Sequence, residues 1–471
     1  MRSVTTPQTR CRAGFARADV TPPVGIYHRM WGAAKHDRAA GVHRPLTVTA
    51  LWLSAPDGGD PLVVIGVDHC ILDRAEFDGT IEAVRAATGV RSVLIALSHT
   101  HGSAWMSRSR SHLPGGDLIG PYLDELREKC AEVAREAANG GGLATIVYGT
   151  GRCSLAKHRD YWDEEREQFV CGFNPGGPAD DALIVAKVIA DGGGTLGTVV
   201  NYACHPTTLA WQNTLITPDY VGAMREVVER ETGAPCLFLQ GASGDLGPRE
   251  GYVGAVAVAD RNGRQLAFAA LAALEGLPPP GTRFDYTGPV VSGATLGTWA
   301  NVPDTVPDAW GGMTFKVELP YRADLPTADA TRAELARWEA DEAEAREKSE
   351  TLRVSECRAR AEQMTRQLAR LASLPPGAAY PLAVTVRRLG GAVWVFTPGE
   401  LYHAFQTTLR ARFTGVALVV VTLTNDWQPG YIPAASAYGH GIYQDVIAAV
   451  APGSLESLTE AVAREVERLC R

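Results

Sequence analysis

Short apolar or β-branched runs that stop abruptly at polar, glycine or proline residues recur along the chain, and each reads as a buried strand. They cover residues 46–53, 61–67, 92–97, 198–203, 236–239, 392–396 and 416–423. Between them, apolar residues return at helical spacing over 74–87, 121–138, 220–231 and 256–274, and again near the end over 455–469. This alternation predicts an α/β fold, with mixed β-sheets covered by helices.

Residues 327–374 break the pattern. The segment is rich in Ala, Glu and Arg, contains no Gly, and repeats Cys357, Met364, Leu368 and Leu371 at helical spacing. Thr327 suits an N-cap and Pro375-Pro376-Gly377 forms a stop, so a long helical hairpin inserted into the α/β body is predicted. Its charges read first as a solvated face. The other readings are a substrate lid or a contact between copies in a homo-oligomer.

Composition narrows the function classes. A chain of 471 residues with 45% hydrophobic and 21% charged positions is globular rather than disordered or fibrous. A formal charge of −8 and the lack of any basic block argue against a nucleic-acid partner. The longest apolar runs fall short of the roughly 20 residues needed to cross a bilayer, so no membrane insertion is expected. Nine cysteines without a Cys-x-x-Cys pair suit neither a disulfide framework nor a structural zinc knuckle. Residues 1–12 lack the apolar stretch of a secretory signal, and the expected location is cytoplasmic.

Candidate chemistry gathers at strand ends, where open α/β sheets bind ligands. Ser98-His99-Thr100-His101-Gly102 follows the strand at 92–97. In an extended segment His99 and His101 would face one side, as metal ligands or as hydrogen-bonded structural histidines. His205, in Cys204-His205-Pro206-Thr207, follows another strand; by itself it reads more often as a satisfied core histidine, and the two strand ends together raise the metal reading, while Cys204 would point to the opposite face. Glu400 follows the strand at 392–396, and Tyr431 lies beyond the one at 416–423. Three N or O ligands with an open position make a catalytic zinc site, and His99, His205 and Glu400 would supply them. Read alone, Arg159 would be a surface ion-pair residue.

Taken in order, the motifs resemble those of the neutral/alkaline (non-lysosomal) ceramidases, over about residues 14–443. GFARADVTP from Gly14, GVHRPL from Gly41, SHTHG at 98–102, NYACHPT from Asn201 with Asp219 after it, Gly399-Glu400, and the tyrosines 431 and 443 carry the resemblance. It implies a ceramidase-like catalytic domain over 14–454, with the hairpin 327–374 as an insertion and 455–471 as a C-terminal helix packed on the same domain. It also implies zinc held by His99, His205, Glu400 and Tyr431, with His101, Arg159 and Tyr443 around the reacting amide. Zinc acidifies water and polarises a carbonyl, an imidazole can accept a proton, and guanidinium or phenol groups can steady an oxyanion.

Two departures modify the expectation. FLQGASGDLGPRE at 238–250 resembles the segment where the ceramidases carry a proposed catalytic serine, but Gly247 stands there, and nothing suggests that Ser243 substitutes. The family's C-terminal immunoglobulin-like domain and export signal are also not seen in the 471 residues. The expected function is a zinc-dependent amidohydrolase cleaving a small, soluble N-acyl substrate by metal-activated water. Alternatives are an esterase or lactonase, an acyl-transfer enzyme of a biosynthetic pathway, or a metal-binding protein without turnover. Trp105, Trp299 and Trp310 either line an apolar site in loops 102–117 and 293–315 or belong to the core.

Overall fold

The computed structural model describes residues 2–471. An eight-stranded sheet runs in the order Cys236–Gln240, Thr195–Tyr202, Ala182–Ala190, Gly142–Arg152, Gln8–Asp19, Thr47–Ser54, Leu62–Val67, Ser92–Leu97. The two outermost pairs are parallel and the inner pairs antiparallel. A four-stranded sheet, Trp310–Pro320, Ala379–Leu389, Ala392–Phe396 and Ala417–Val421, ends in a further parallel pair.

The unbroken apolar runs are explained by burial on both faces. In Leu62–Val67, Val63, Ile65 and Val67 pack toward helices Arg74–Thr88 and Ile119–Asn139. Leu62 and Val64 face the other way and meet Trp394, Phe396, Val419 and Val421 of the small sheet. Helices Tyr220–Thr232 and Val256–Glu275 cover the other half of the large sheet. On the far side of the small sheet lie Ala404–Arg412 and Ser454–Cys470, the latter through Leu455, Leu458, Val462 and Val466. The result is a mixed α/β sandwich of helices, sheet, sheet and helices.

At one end the two sheets are joined by main-chain bonds. The Thr422 N–H donates to the Gln240 carbonyl at 2.9 Å, and that of Leu97 to the Leu423 carbonyl at 3.3 Å. Carboxyl ends of strands from both sheets are thereby brought together. Just beyond Leu62–Val67, Asp68 accepts a bidentate pair of bonds from Arg225 of the helix Tyr220–Thr232, both at 2.8 Å. It also accepts from the Thr47 N–H and hydroxyl, and is 1% exposed.

Several strands lie outside the predicted set. Gln8–Asp19, which starts ahead of residue 14, turns Thr9, Cys11 and Ala13 into the core and spaces them with arginines. Gly142–Arg152, Ala182–Ala190, Trp310–Pro320 and Ala379–Leu389 were likewise not anticipated. The expected loop 293–315 is strand over much of its length, in Ala294–Pro303 and the start of Trp310–Pro320.

The hairpin forms as predicted, in helices Ala328–Glu347 and Thr351–Ser373, with the Thr327 hydroxyl capping Ala330 N–H at 3.2 Å. Its charges follow the first reading on Ala328–Glu347, which is largely exposed, and correct it in part on the second helix. On Thr351–Ser373 three of them face the body: Arg358 pairs with Asp37, Glu362 with Arg110 at 2.8 Å, and Arg366 donates to the Met30 carbonyl. Gly32 permits the approach, since a Cβ there would lie 3.1 Å from that of Ala359. No described helix is long and apolar enough to cross a membrane.

Candidate metal centre

His99 leaves the end of Ser92–Leu97 with a left-handed φ of 65°. A non-glycine residue holds that conformation only where its surroundings enforce it. Here they do so through His99 N–H donating to the His69 carbonyl at 2.8 Å and the Thr100 hydroxyl donating to the Thr217 carbonyl at 2.8 Å. The segment is therefore not extended, as the sequence reading assumed: His101 opens a short 3₁₀ turn, His101–Ser103. Gly102 is required there, because a Cβ would fall 2.4 Å from the Thr217 carbonyl oxygen. The turn still leaves the His99 and His101 rings 5.1 Å apart.

His205 follows Thr195–Tyr202 and is anchored by its N–H donating to the Leu246 carbonyl at 3.1 Å. Glu400 and Tyr431 come together because Glu400–Leu401 pairs in parallel with Tyr431–Ile432, with these two residues as direct partners. Asp219, the cap of Tyr220–Thr232, secures the loop after His205 by accepting from Leu209 N–H at 2.8 Å. Cys204 packs in the core beneath the helices. All nine cysteines are free thiols.

The donor atoms converge closely. His99 Nε2 and His205 Nε2 are 3.1 Å apart, and Glu400 Oε2 lies 3.2 Å from the first and 3.1 Å from the second. The Tyr431 hydroxyl is 3.3 Å from His205 Nε2. Each imidazole donates its Nδ1 hydrogen to a carbonyl, His99 to Cys70 at 2.7 Å and His205 to Ser243 at 2.8 Å. Both Nε2 lone pairs are thus directed at each other and at a carboxylate, an arrangement that calls for a cation. Ligands at about 2.0–2.1 Å around a tetrahedral zinc are separated by about 3.3 Å, so the set fits that ion. Cys70, His99 and His101 form a second group with possible ligand spacing. It is the poorer one, because His99 Nδ1 is already bonded to the Cys70 carbonyl.

Electrostatics agree with a metal site. Burial alone would raise the Glu400 pKa, but His99 and His205 outweigh it and hold the carboxyl well below its usual range. Burial, reinforced by Arg159, pushes His205 down to about 4. His99 is opposite: burial lowers it, and the charges of Cys70 and Glu400 raise it well above the ordinary value. A proton on His99 occupies the place a metal would take, and metal binding would release it.

His101, Arg159 and Tyr443 surround this group. Neither ring nitrogen of His101 has a partner, and its ring lies 5.0 Å from that of Trp31. Burial and the neighbouring histidines hold it neutral, well below the usual range. Arg159 is 3% exposed and donates to the Tyr431 hydroxyl at 2.9 Å and the Gly244 carbonyl at 2.5 Å, so it is not a surface ion pair. Tyr443 stands at the rim, 47% exposed, with its ring 5.8 Å from Tyr431.

Beside the donors lies a cavity of about 490 Å³, lined in part by His101, Arg159, Tyr431 and Tyr443. Sequence reasoning missed much of its wall: Trp31, Thr207, Trp211, Tyr252, and Arg366 and Arg370 of the hairpin. Of the three tryptophans singled out, Trp105 alone borders the site, in an adjoining pocket. Trp299 stacks on Phe284 in an exposed strand pair, and Trp310 packs against the core between the sheets.

Gly247 is buried on the short strand Leu246–Pro248, next to Arg159 and Thr207 of the cavity wall. A Cβ there would touch nothing closer than 3.9 Å, the nearest atoms belonging to Arg159 and to the unpartnered, buried Thr207 hydroxyl. Gly247→Ser is therefore expected to fold normally, with unfolding free energy within about 1 kcal/mol of the parent. Chemical denaturation checks this, and a loss above about 2 kcal/mol would show the space to be spoken for. The Ser243 hydroxyl accepts from Gln240 Nε2 at 2.6 Å and lies 3.5 Å from His205 Nδ1, on the ring edge away from the Nε2 that meets the donor cluster.

At the level of sequence, no protein-family model and no curated protein matches the chain. Solved structures do match. Superposition on neutral ceramidase from Pseudomonas aeruginosa gives a TM-score of 0.64 at 15% identity, covering 99% of this chain and 75% of that one. A ceramidase complexed with C2 gives 0.65 at 15% identity, with the same coverage. The chain has a ceramidase-like fold. Its hairpin and Gly247 are therefore set within a known architecture.

Proposed function

We propose that the protein is a zinc-dependent amidohydrolase that cleaves the N-acyl bond of a small substrate. One observation carries this reading: two imidazole Nε2 atoms and a carboxylate oxygen meet within 3.2 Å beside a cavity, in a ceramidase-like fold. His99, His205 and Glu400 would hold the ion, with Tyr431 as a fourth ligand. Zinc so bound supplies acidified water and a polarised carbonyl.

The remaining chemistry belongs to the chain's own side chains. His101, neutral and with both ring nitrogens free, accepts the proton of the attacking water. Arg159 turns the Tyr431 oxygen inward by donating to it, and with Tyr443 it donates to the oxyanion that develops on the amide carbonyl. None of these roles uses a serine, which is consistent with Gly247. The cavity has the size of a pocket for a compact ligand.

The test is product analysis on zinc-reconstituted protein with N-acyl amino acids, N-acyl amines and the matching esters. Equimolar carboxylic acid and amine from the amides is expected. Cleavage confined to esters would reassign the bond. No cleavage of either class at full zinc occupancy would favour a metal-binding protein without turnover.

A further inference from the structure

The helix Thr351–Ser373 does more than close the cavity: it charges it. Arg360, Arg366 and Arg370 from this helix and Arg159 from the body line the larger cavity, against a single carboxylate there, Glu362. That carboxylate is already shared between Arg110 at 2.8 Å and Arg366 at 2.7 Å. In a chain of net charge −8, the cavity is a local concentration of positive charge.

Two of these guanidinium groups are buried without an anion. Arg370 is 9% exposed, and its side-chain bonds go to the neutral Gln367 amide oxygen, at 2.6 and 3.2 Å. Arg159 bonds a carbonyl and a phenol, and its Nε is buried with no partner. A buried charge that lacks a counter-ion is strongly unfavourable. A cavity keeping two such cations is built for an anion that arrives with the ligand. Arg366 and Arg370 also border the pocket that contains His99 and Glu400, so the positive wall adjoins the donor cluster. Met30, Trp31, Trp211 and Ile447 supply an apolar wall to the same space.

We propose that the substrate carries an anionic group, carboxylate or phosphate, close to its scissile bond, and that Arg370, assisted by Arg366, binds it while the apolar wall takes the acyl part. The inference rests on the amidohydrolase reading for its turnover but not for its binding. A guanidinium offers paired N–H donors to either oxyanion.

Three probes separate the possibilities: N-octanoylglycine, N-octanoylethanolamine and the O-phosphate of the latter. On the zinc-loaded enzyme, at least one anionic probe is expected to show kcat/KM at least tenfold above the neutral one, mainly through KM. Which anion is preferred identifies the group. In Arg370→Gln that preference is expected to fall below threefold, and Arg370→Lys, which keeps the charge, to restore part of it. Equal turnover of neutral and anionic probes by the parent enzyme, or a preference unaltered in R370Q, would overturn the proposal.

Should none of the probes be hydrolysed, calorimetric binding decides independently of the reaction. Tighter binding of an anionic probe by the parent protein, lost in R370Q and partly regained in R370K, would support the site although the amidase reading had failed. Absence of such a difference would overturn it. Far-ultraviolet circular dichroism of each variant confirms that folded proteins are being compared.

Discussion

His205→Ala is expected to lower kcat/KM on any amide substrate by at least about 10³-fold, a loss of roughly 4 kcal/mol of transition-state stabilisation. The size follows from the position of its Nε2, the one atom within 3.3 Å of His99, Glu400 and Tyr431 alike. His99→Ala should be as severe. Cys70→Ala should cost less than about threefold, because the thiol belongs to the second donor group, which His99 cannot complete while its Nδ1 hydrogen is bonded to the Cys70 carbonyl. Steady-state kinetics on all three variants decides between the groups. A collapse in the Cys70 variant with survival in the His205 variant would move the metal to the other cluster.

Asp68→Ala is expected to cost about 3–5 kcal/mol of unfolding free energy, the largest stability effect foreseen for a single polar substitution here. It would strand the Arg225 guanidinium, 7% exposed, in a region where Asp68 supplies both of its carboxylate bonds. The sign of the pH dependence follows from the carboxyl. Burial would raise its pKa, but Arg225 and the bonds from Thr47 bring it below the ordinary value of 3.8. Its contribution is therefore complete above pH ~4 and is lost as pH falls through the depressed folded value. Urea unfolding between pH 7 and pH 3 should show the parent losing stability more steeply than the variant below pH 4. A loss under about 1 kcal/mol at pH 7 would contradict this. The same pair steadies the site, since the adjoining His69 carbonyl holds His99 in its left-handed conformation.

The sequence exposed the strand ends well, and for a physical reason. Strands buried on both faces are short apolar blocks with sharp limits, and Ser92–Leu97 and Ala392–Phe396 match the expected bounds. Placing His99, His205, Glu400 and Tyr431 beyond such blocks was enough to expect them near one another. Gln8–Asp19 escaped notice because alternate residues are arginine or small, so its period of two lacks bulky apolar members. The His99 turn was hidden too, for a left-handed φ at histidine is imposed by the surroundings and carries no local mark.

The cavity's arginines were the least legible feature. On a helix as charged as Thr351–Ser373, residues bound for solvent and residues bound for a cavity look alike. Arg360, Arg366 and Arg370 acquire their meaning from where the hairpin folds back, which depends on contacts such as Gly32 with Ala359, far apart in sequence. One signal was present: Gln363, Arg366 and Arg370 lie at the three- and four-residue spacing that places side chains on one helical face.

The most direct measurement is zinc content by inductively coupled plasma mass spectrometry, made alongside amide turnover as zinc is titrated into chelator-stripped protein. One zinc per chain is expected, with turnover rising in proportion to occupancy and neither obtained in His205→Ala. A protein that takes up no zinc, or that hydrolyses the amide equally well when stripped, would contradict it.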